Sequence, residues 1–298
     1  MNPQSGMFEP DNPHQHHLEW ALRPGVTPEA LAAAAVEARR ADEVGDGSVA
    51  VVGFGPALVN GLFSQVVPED YAGFEPVGTD AGWYAPSTQA DLWIWVQGRE
   101  RAAVLDRAIA FAQALDGLAR VVSDVPVFQR RENRDFTGFV DGTANPKEDA
   151  RFAAALVSDG PAAGSSIALT QRWRHKLDAF NACPVAEQEG IIGRTKVDDI
   201  ELEGDAMPDD SHVSRTDVKL DGEALKIYRR SAPYGDAREQ GLLFLAFSCE
   251  RRRIQVQLDR MFGVCEDGLH DRIVEFSDAL SGSYWFVPAE EALEAATR

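Results

Sequence analysis

Leu92-Trp93-Ile94-Trp95-Val96 is an unbroken apolar run, long enough for one buried strand and too short for a helix. Downstream, Leu105, Ala108, Ile109 and Ala112 fall at helical spacing and form one apolar stripe. Ala119 to Phe128 then returns to strand composition. Upstream, Leu18 to Leu22 reads as a first strand. Thr27-Pro28-Glu29 starts a helix, with Thr as cap, Pro in the first turn and an acid at the positive helix end; an Ala-rich run continues it to Ala41. Val49 to Val52 is a short buried strand. The rhythm recurs later: Ser166–Trp173, Leu225–Arg229 and Gly241–Phe247 read as strands, before a helix with Ile254, Leu258 and Met261 on one face. The sequence Leu-Asp-Arg accompanies a strand–helix pair twice, at 105–107 and 258–260. Strands and helices alternate without regular βαβ spacing. That order predicts an α+β fold with two similar halves joined near residues 130–165.

The 298 residues include 44% hydrophobic and 26% charged side chains, values of a globular chain and not of a disordered one. Its 48 acidic against 29 basic residues give a net charge of −19, which repels phosphate backbones and argues against a nucleic-acid partner. No run of 18 apolar residues occurs, so no membrane span is expected. Residues 1–20 lack a basic start and an apolar core, and the three cysteines, Cys183, Cys249 and Cys265, lack CxxC spacing. Both point to the cytoplasm.

Four segments bear on chemistry. Gly53-Phe54-Gly55 follows a strand as a dinucleotide loop would, but Leu58 stands where the third glycine is needed and Pro56 interrupts the turn. Asp135-Phe136-Thr137-Gly138-Phe139-Val140-Asp141-Gly142-Thr143-Ala144-Asn145-Pro146 brackets Asp141 with two glycines. Its apolar neighbours Phe136, Phe139 and Val140 are more than a free surface turn requires, and a buried carboxylate there would have a tuned pKa. Among six histidines, His14, His16 and His17 form HxHH in what reads as a solvated lead-in segment. His212 instead lies in Ser211-His212-Val213-Ser214-Arg215, where a ligating His would place Arg215 one turn along, beside an anionic group. In Ile227-Tyr228-Arg229-Arg230-Ser231-Ala232-Pro233-Tyr234-Gly235, alternation puts Ile227, Arg229 and Ser231 on one face and Tyr228 and Arg230 on the other; an inward Arg requires an anionic partner.

Taken together, Gly138–Thr143, Ser211–Arg215 and Ile227–Gly235 resemble the dye-decolourising peroxidase family. The chain length and the stretch Ser281-Gly282-Ser283-Tyr284-Trp285-Phe286-Val287-Pro288 resemble its compact bacterial B type. Gln171-Arg172-Trp173-Arg174-His175 and Gly193-Arg194-Thr195-Lys196 fit as well, and the likeness runs from Pro3 to Pro288. Ala144 stands where relatives often carry Glu, and Ser231 where some carry Asn. The resemblance implies two ferredoxin-like halves of the dimeric α/β-barrel type, residues 1–135 and 136–298, with one haem b held mainly by the second. It implies His212 as the iron ligand. Asp141, Arg229 and Ser231 would lie on the peroxide side, Gly142 and Thr143 would line the cofactor, and Arg215 would pair with a propionate. An acid would orient the other nitrogen of His212: Asp271 first, with Glu275 or Asp278 as alternatives.

The implied activity is reduction of hydrogen peroxide and, through a ferryl state, oxidation of aromatic or dye-like one-electron reductants. A carboxylate can move the peroxide proton and a guanidinium can stabilise the departing hydroxide. A carboxylate base predicts an acid optimum, about pH 4–5. Haem iron release and haem storage are the competing readings; simple storage needs no distal acid–base pair. A homo-oligomer, dimer or larger, is expected. The ending Pro288-Ala289-Glu290-Glu291-Ala292-Leu293-Glu294-Ala295-Ala296-Thr297-Arg298 reads as a solvated helix with Leu293 as its single apolar anchor. That argues against cargo of an encapsulin nanocompartment.

Overall fold

The computed structural model describes residues 2–9, 12–41, 47–79, 82–220 and 222–297. Ten strands form its main sheet: β1 His14–Leu22, β2 Ser48–Phe54, β3 Leu92–Gly98, β4 Ala119–Phe128, β5 Ser166–His175, β6 Tyr228–Arg229, β7 Ala232–Gly235, β8 Gln240–Ser248, β9 Ser277–Ala279 and β10 Ser283–Val287. All pair antiparallel. The order is β6-β8-β5-β10-β2-β3-β1-β4, with β7 also on β8 and β9 also on β5. Residues 14–128 therefore give β2-β3-β1-β4. Residues 166–287 repeat that arrangement as β6/β7-β8-β5-β10, and the halves join where Phe286 of β10 meets Phe54 of β2. This is the α+β fold of two ferredoxin-like halves that the sequence predicted.

The sheet curls until its ends approach: Val125 and Val127 of β4 pack with Ala232 and Tyr234 of β7 and Leu243 of β8. Side chains on the inner face form a dry interior around Trp93, Trp95, Phe247 and Trp285. Buried indole N–H groups need acceptors. Trp95 donates to Gln15 Oε1 at 2.9 Å and Trp285 to Thr170 Oγ1 at 2.9 Å. Thr170 in turn donates to Glu19 Oε1 at 2.9 Å, and burial raises the Glu19 carboxyl to about 7. Gly53 and Gly55 are packing residues: a Cβ at Gly53 would lie 2.8 Å from Trp93, and one at Gly55 2.1 Å from the Ala90 carbonyl oxygen.

Helices α1 Pro28–Ala41, α2 Pro56–Leu62 and α3 Arg101–Ala114 cover the outer face of the first half. The second half carries α4 Asp149–Ala155, α5 Leu177–Ala182, α6 Val185–Ile192, α7 His212–Thr216, α8 Arg251–Met261 and α9 Ile273–Phe276. Of these, α8 presents Ile254 and Leu258 to the outer face of β5 and β8.

Three sequence expectations need correction. The HxHH segment is not solvated: it lies in β1 between β3 and β4, where His16 bonds Asp124 at 2.5 Å and His17 stacks on Trp93 and Trp95. The strand expected over Leu225–Arg229 starts only at Tyr228. The Leu225 amide bonds the Val218 carbonyl and its own carbonyl accepts from Gln257, so neither group is left for β8. The C-terminal helix, α10 Glu290–Ala295, is docked: Leu293 has no exposed surface within the first-half core, and Glu290 pairs with Arg39 at 2.5 Å.

Cutting Leu293 back to Ala should therefore cost about 2–5 kcal/mol, the range for a truncated core leucine, read as a lower urea midpoint. A change below about 1 kcal/mol would mean that the helix is only loosely held.

Candidate active site

Alternation along β5 and β8 sends Ala168, Leu245 and Phe247 inward and leaves Gln171, Trp173, His175, Leu242 and Phe244 on the outer face. There they floor a cleft. Its roof is α8, and its far walls are the loop at 135–141, the first residue of α7 and Arg229. The walls are mostly aliphatic and aromatic, with a few converging polar groups, the composition of a cofactor site.

His212 opens α7, a five-residue helix capped by the Ser211 hydroxyl, which accepts from the Ser214 amide at 3.3 Å. His212 Nδ1 lies 2.6 Å from Asp271 Oδ2, and Asp271 has no exposed surface. The other oxygen of Asp271 accepts from the Ile273 amide at 2.9 Å. The carboxylate accepts, so Nδ1 carries the proton and the Nε2 lone pair is left for the cleft. Of the three acids considered for this partner, Glu275 is bound to His270 and Asp278 to Arg174 and Lys176.

Arg215 does not join the cleft, contrary to expectation. It is buried, forks onto Asp267 at 2.7 and 3.1 Å, and donates to the carbonyls of Arg260 and Leu269. Those bonds occupy its guanidinium. What it does is brace the chain that delivers Asp271.

Asp141 and Arg229 line the cleft together. Asn145, the end of the glycine-bracketed loop, pins Arg229 by its backbone: Asn145 Nδ2 donates to the Arg229 carbonyl at 2.7 Å, and the Arg229 amide donates to Asn145 Oδ1 at 2.8 Å. The turn between them needs Gly142, whose φ is +87°. Burial pushes the Asp141 carboxyl above its ordinary range; the Arg229 charge opposes the shift and the Asp135 charge adds to it. Ser231 accepts from the Leu245 amide and lines a separate polar cavity, which Asp141 and Arg229 also border. Thr143 donates to Asp199, and with Gly142 it lines the mouth near His212.

Sequence reasoning missed a second polar group in the cleft. His175 Nε2 meets Asp135 at 3.0 Å, its Nδ1 meets Ser277 Oγ at 2.6 Å, and all three residues line the wall. Burial pushes the Asp135 carboxyl up. The bond and charge of His175, with donors from Thr137 and the backbone, outweigh that and hold it below the usual range. Among the described residues, Gln171 is buried with both amide atoms unpartnered, and Arg229 Nε is likewise unpartnered. Orphan polar groups, a histidine with a free Nε2 and apolar walls together fit a flat, largely apolar ligand with a metal and polar edges, as haem is.

The family model for the C-terminal part of Dyp-type peroxidases matches residues 132–292. A dye-decolorizing peroxidase of Rhodococcus erythropolis is 34% identical over 253 residues, covering 83% of this chain and 74% of the relative. The chain belongs to the Dyp-type peroxidase family. A dye-decolorizing peroxidase of Mycobacterium tuberculosis is 32% identical over 249 residues, 82% of this chain and 74% of that one. Among solved structures, a dyp-type peroxidase protein from Shewanella oneidensis superposes with TM-score 0.91 at 30% identity, covering 99% and 98% of the two chains. A DypB variant of Rhodococcus jostii RHA1 in complex with heme does so with TM-score 0.90 at 28% identity, over 99% and 98%. The haem expected from the sequence is thus the cofactor of this Dyp-type peroxidase, and the peroxidase reaction its activity.

Replacing His175 by Gln removes the largest of the interactions that hold Asp135 low and leaves only Thr137 and the backbone to oppose burial. The Asp135 carboxyl should then titrate above the ordinary value of about 3.9, seen by infrared difference titration against an Asp135→Asn reference. A carboxyl still titrating below that value would show that Thr137 and the backbone suffice.

Proposed function

We propose that this enzyme holds haem iron through His212 Nε2 and handles hydrogen peroxide with Asp141 and Arg229. The observation that carries this reading is the hydrogen bond from His212 to the fully buried Asp271, on the same cleft as Asp141 and Arg229. Bound haem supplies the iron at which the O–O bond is broken and the oxidising equivalents are kept. The chain's own groups supply proton transfer and charge. Asp271 fixes the His212 tautomer and raises the basicity of Nε2. The ionised Asp141 carboxylate accepts the proton from one peroxide oxygen and returns it to the departing one. The Arg229 guanidinium, always charged and with its backbone pinned by Asn145, stabilises the negative charge that develops on the departing oxygen before the proton reaches it and it leaves as water. Ser231 sits beyond this pair and contributes polarity at the approach.

The reductants would be small aromatic or dye-like molecules. The chain would divide near residue 135, since each side carries the same strand order. We read the enzyme as cytoplasmic, with three unpaired cysteines, and as a homo-oligomer. Leu105 and Ile109, one turn apart on α3, and Val121 and Val122 on β4 are exposed apolar side chains suited to contact between copies.

His212→Ala should lose most bound haem, read from the Soret band per chain, while His270→Ala retains it. Full haem in the first variant would remove His212 as ligand. In stopped-flow, Arg229→Leu should slow the reaction with peroxide by about 10²-fold or more, the cost of one preorganised donor. Asp141 must be ionised to act, and burial raises its pKa, so the rate should fall as pH drops through a value above the free carboxylate's, about 3.9. Asp141→Asn should slow the step by about 10²–10⁴-fold and flatten that limb. A limb that persists in Asp141→Asn would assign the proton to another group.

A further inference from the structure

Asp141 and Arg229 are a partition between two cavities. One face belongs to the haem cleft; the other borders a polar cavity. Four guanidiniums line the second cavity: Arg130, Arg151, Arg229 and Arg230. Asp141 is the one carboxylate among its lining residues. In a chain of net charge −19, several buried or half-buried arginines have acidic partners, as Arg39, Arg194, Arg215, Arg253 and Arg272 do. Among the described residues the four in this cavity form no ion pair within 4 Å; Asp141 acts on Arg229 and Glu9 on Arg230 only at longer range. Arg130 donates to the Asp135 carbonyl, and Arg230 to the Met7 carbonyl and the Gln97 amide oxygen. The Nε atoms of Arg151 and Arg229 are buried with no hydrogen-bond partner among the described residues. A guanidinium out of water without an anion is costly, so a cluster of them is poised for one.

The cavity also has a flat apolar wall. Phe8 stacks on Tyr228 with ring centroids 5.2 Å apart, and the Arg151 guanidinium lies 5.7 Å from the Phe8 ring centroid and 4.7 Å from that of Phe152. A planar fork beside aromatic faces matches a carboxylate carried on a ring.

We propose that this cavity is a binding site for a small aromatic carboxylate, with Arg151 as its principal anchor. The occupant would sit against the back of Arg229 and obstruct peroxide. This last effect rests on reading Asp141 and Arg229 as the peroxide-side pair; binding itself does not.

Calorimetric titration of the haem-loaded enzyme with benzoate, and with neutral, isosteric benzamide, tests the site. Benzoate should bind, and benzamide at least tenfold more weakly. Arg151→Gln should weaken benzoate at least tenfold and leave turnover without benzoate unchanged; Arg151→Lys should recover part of the affinity. No benzoate binding at millimolar concentration, equal binding of benzamide, or unchanged affinity in Arg151→Gln overturns the proposal. In a separate arm, benzoate should raise the KM for peroxide at constant kcat. Arg151-dependent binding without that rise would support the anion site and count against the assignment of Asp141 and Arg229.

Discussion

A carboxylate with no exposed surface has to be paired, and Asp271 is paired with the Nδ1–H of His212. Much of the second half serves that contact. The Asp271 amide is tied to the Met261 carbonyl at the end of α8, and its second oxygen to the Ile273 amide that starts α9. Arg215 braces the approach through Asp267, Arg260 and Leu269. Removing the histidine would leave a buried carboxylate uncompensated, so the same bond holds together α7, α8 and α9 and aims one nitrogen into the cleft.

The opposite wall is built on a different device. Arg229 lies on a strand only two residues long, and a short edge strand does not fix a side chain well. Asn145 makes up the deficit by pairing with both backbone groups of Arg229 across 84 residues of sequence. The glycine-bracketed loop therefore has two roles: it delivers Asp141, and through Asn145 it fixes the backbone of the cation proposed to work with Asp141. The duplicated sheet supplies the rigid floor between the two walls. Its inner face is filled by stacked tryptophans, so β5 and β8 have little freedom to shift under the cleft.

Much of this was legible in the sequence. The long strands and helices were readable because period-2 and period-3.6 patterns are local, and the motif loop, His212 and Arg229 were readable because they lie in distinctive short segments. Asp271 could be named among three acids. The choice depended on which acid was free, and that is fixed by the partners His270, Arg174 and Lys176. Arg215 was misread because spacing places it one turn from His212 but is silent about Asp267, 52 residues on. His175 and Asp135 escaped notice because each looks ordinary until β5 brings them together. The HxHH segment reads as solvated because polar residues in a strand between two neighbours look, one by one, like a tail.

If His212 holds the haem iron as proposed, Asp271 gives it its ligand character. The iron–histidine stretching frequency of the ferrous enzyme, measured by resonance Raman in wild type and Asp271→Asn, tests it most directly. Losing the negative acceptor should weaken the bond and lower the frequency, because the imidazole loses anionic character. An unchanged frequency in a variant that still binds haem would contradict the claim and leave Asp271 with a structural role alone.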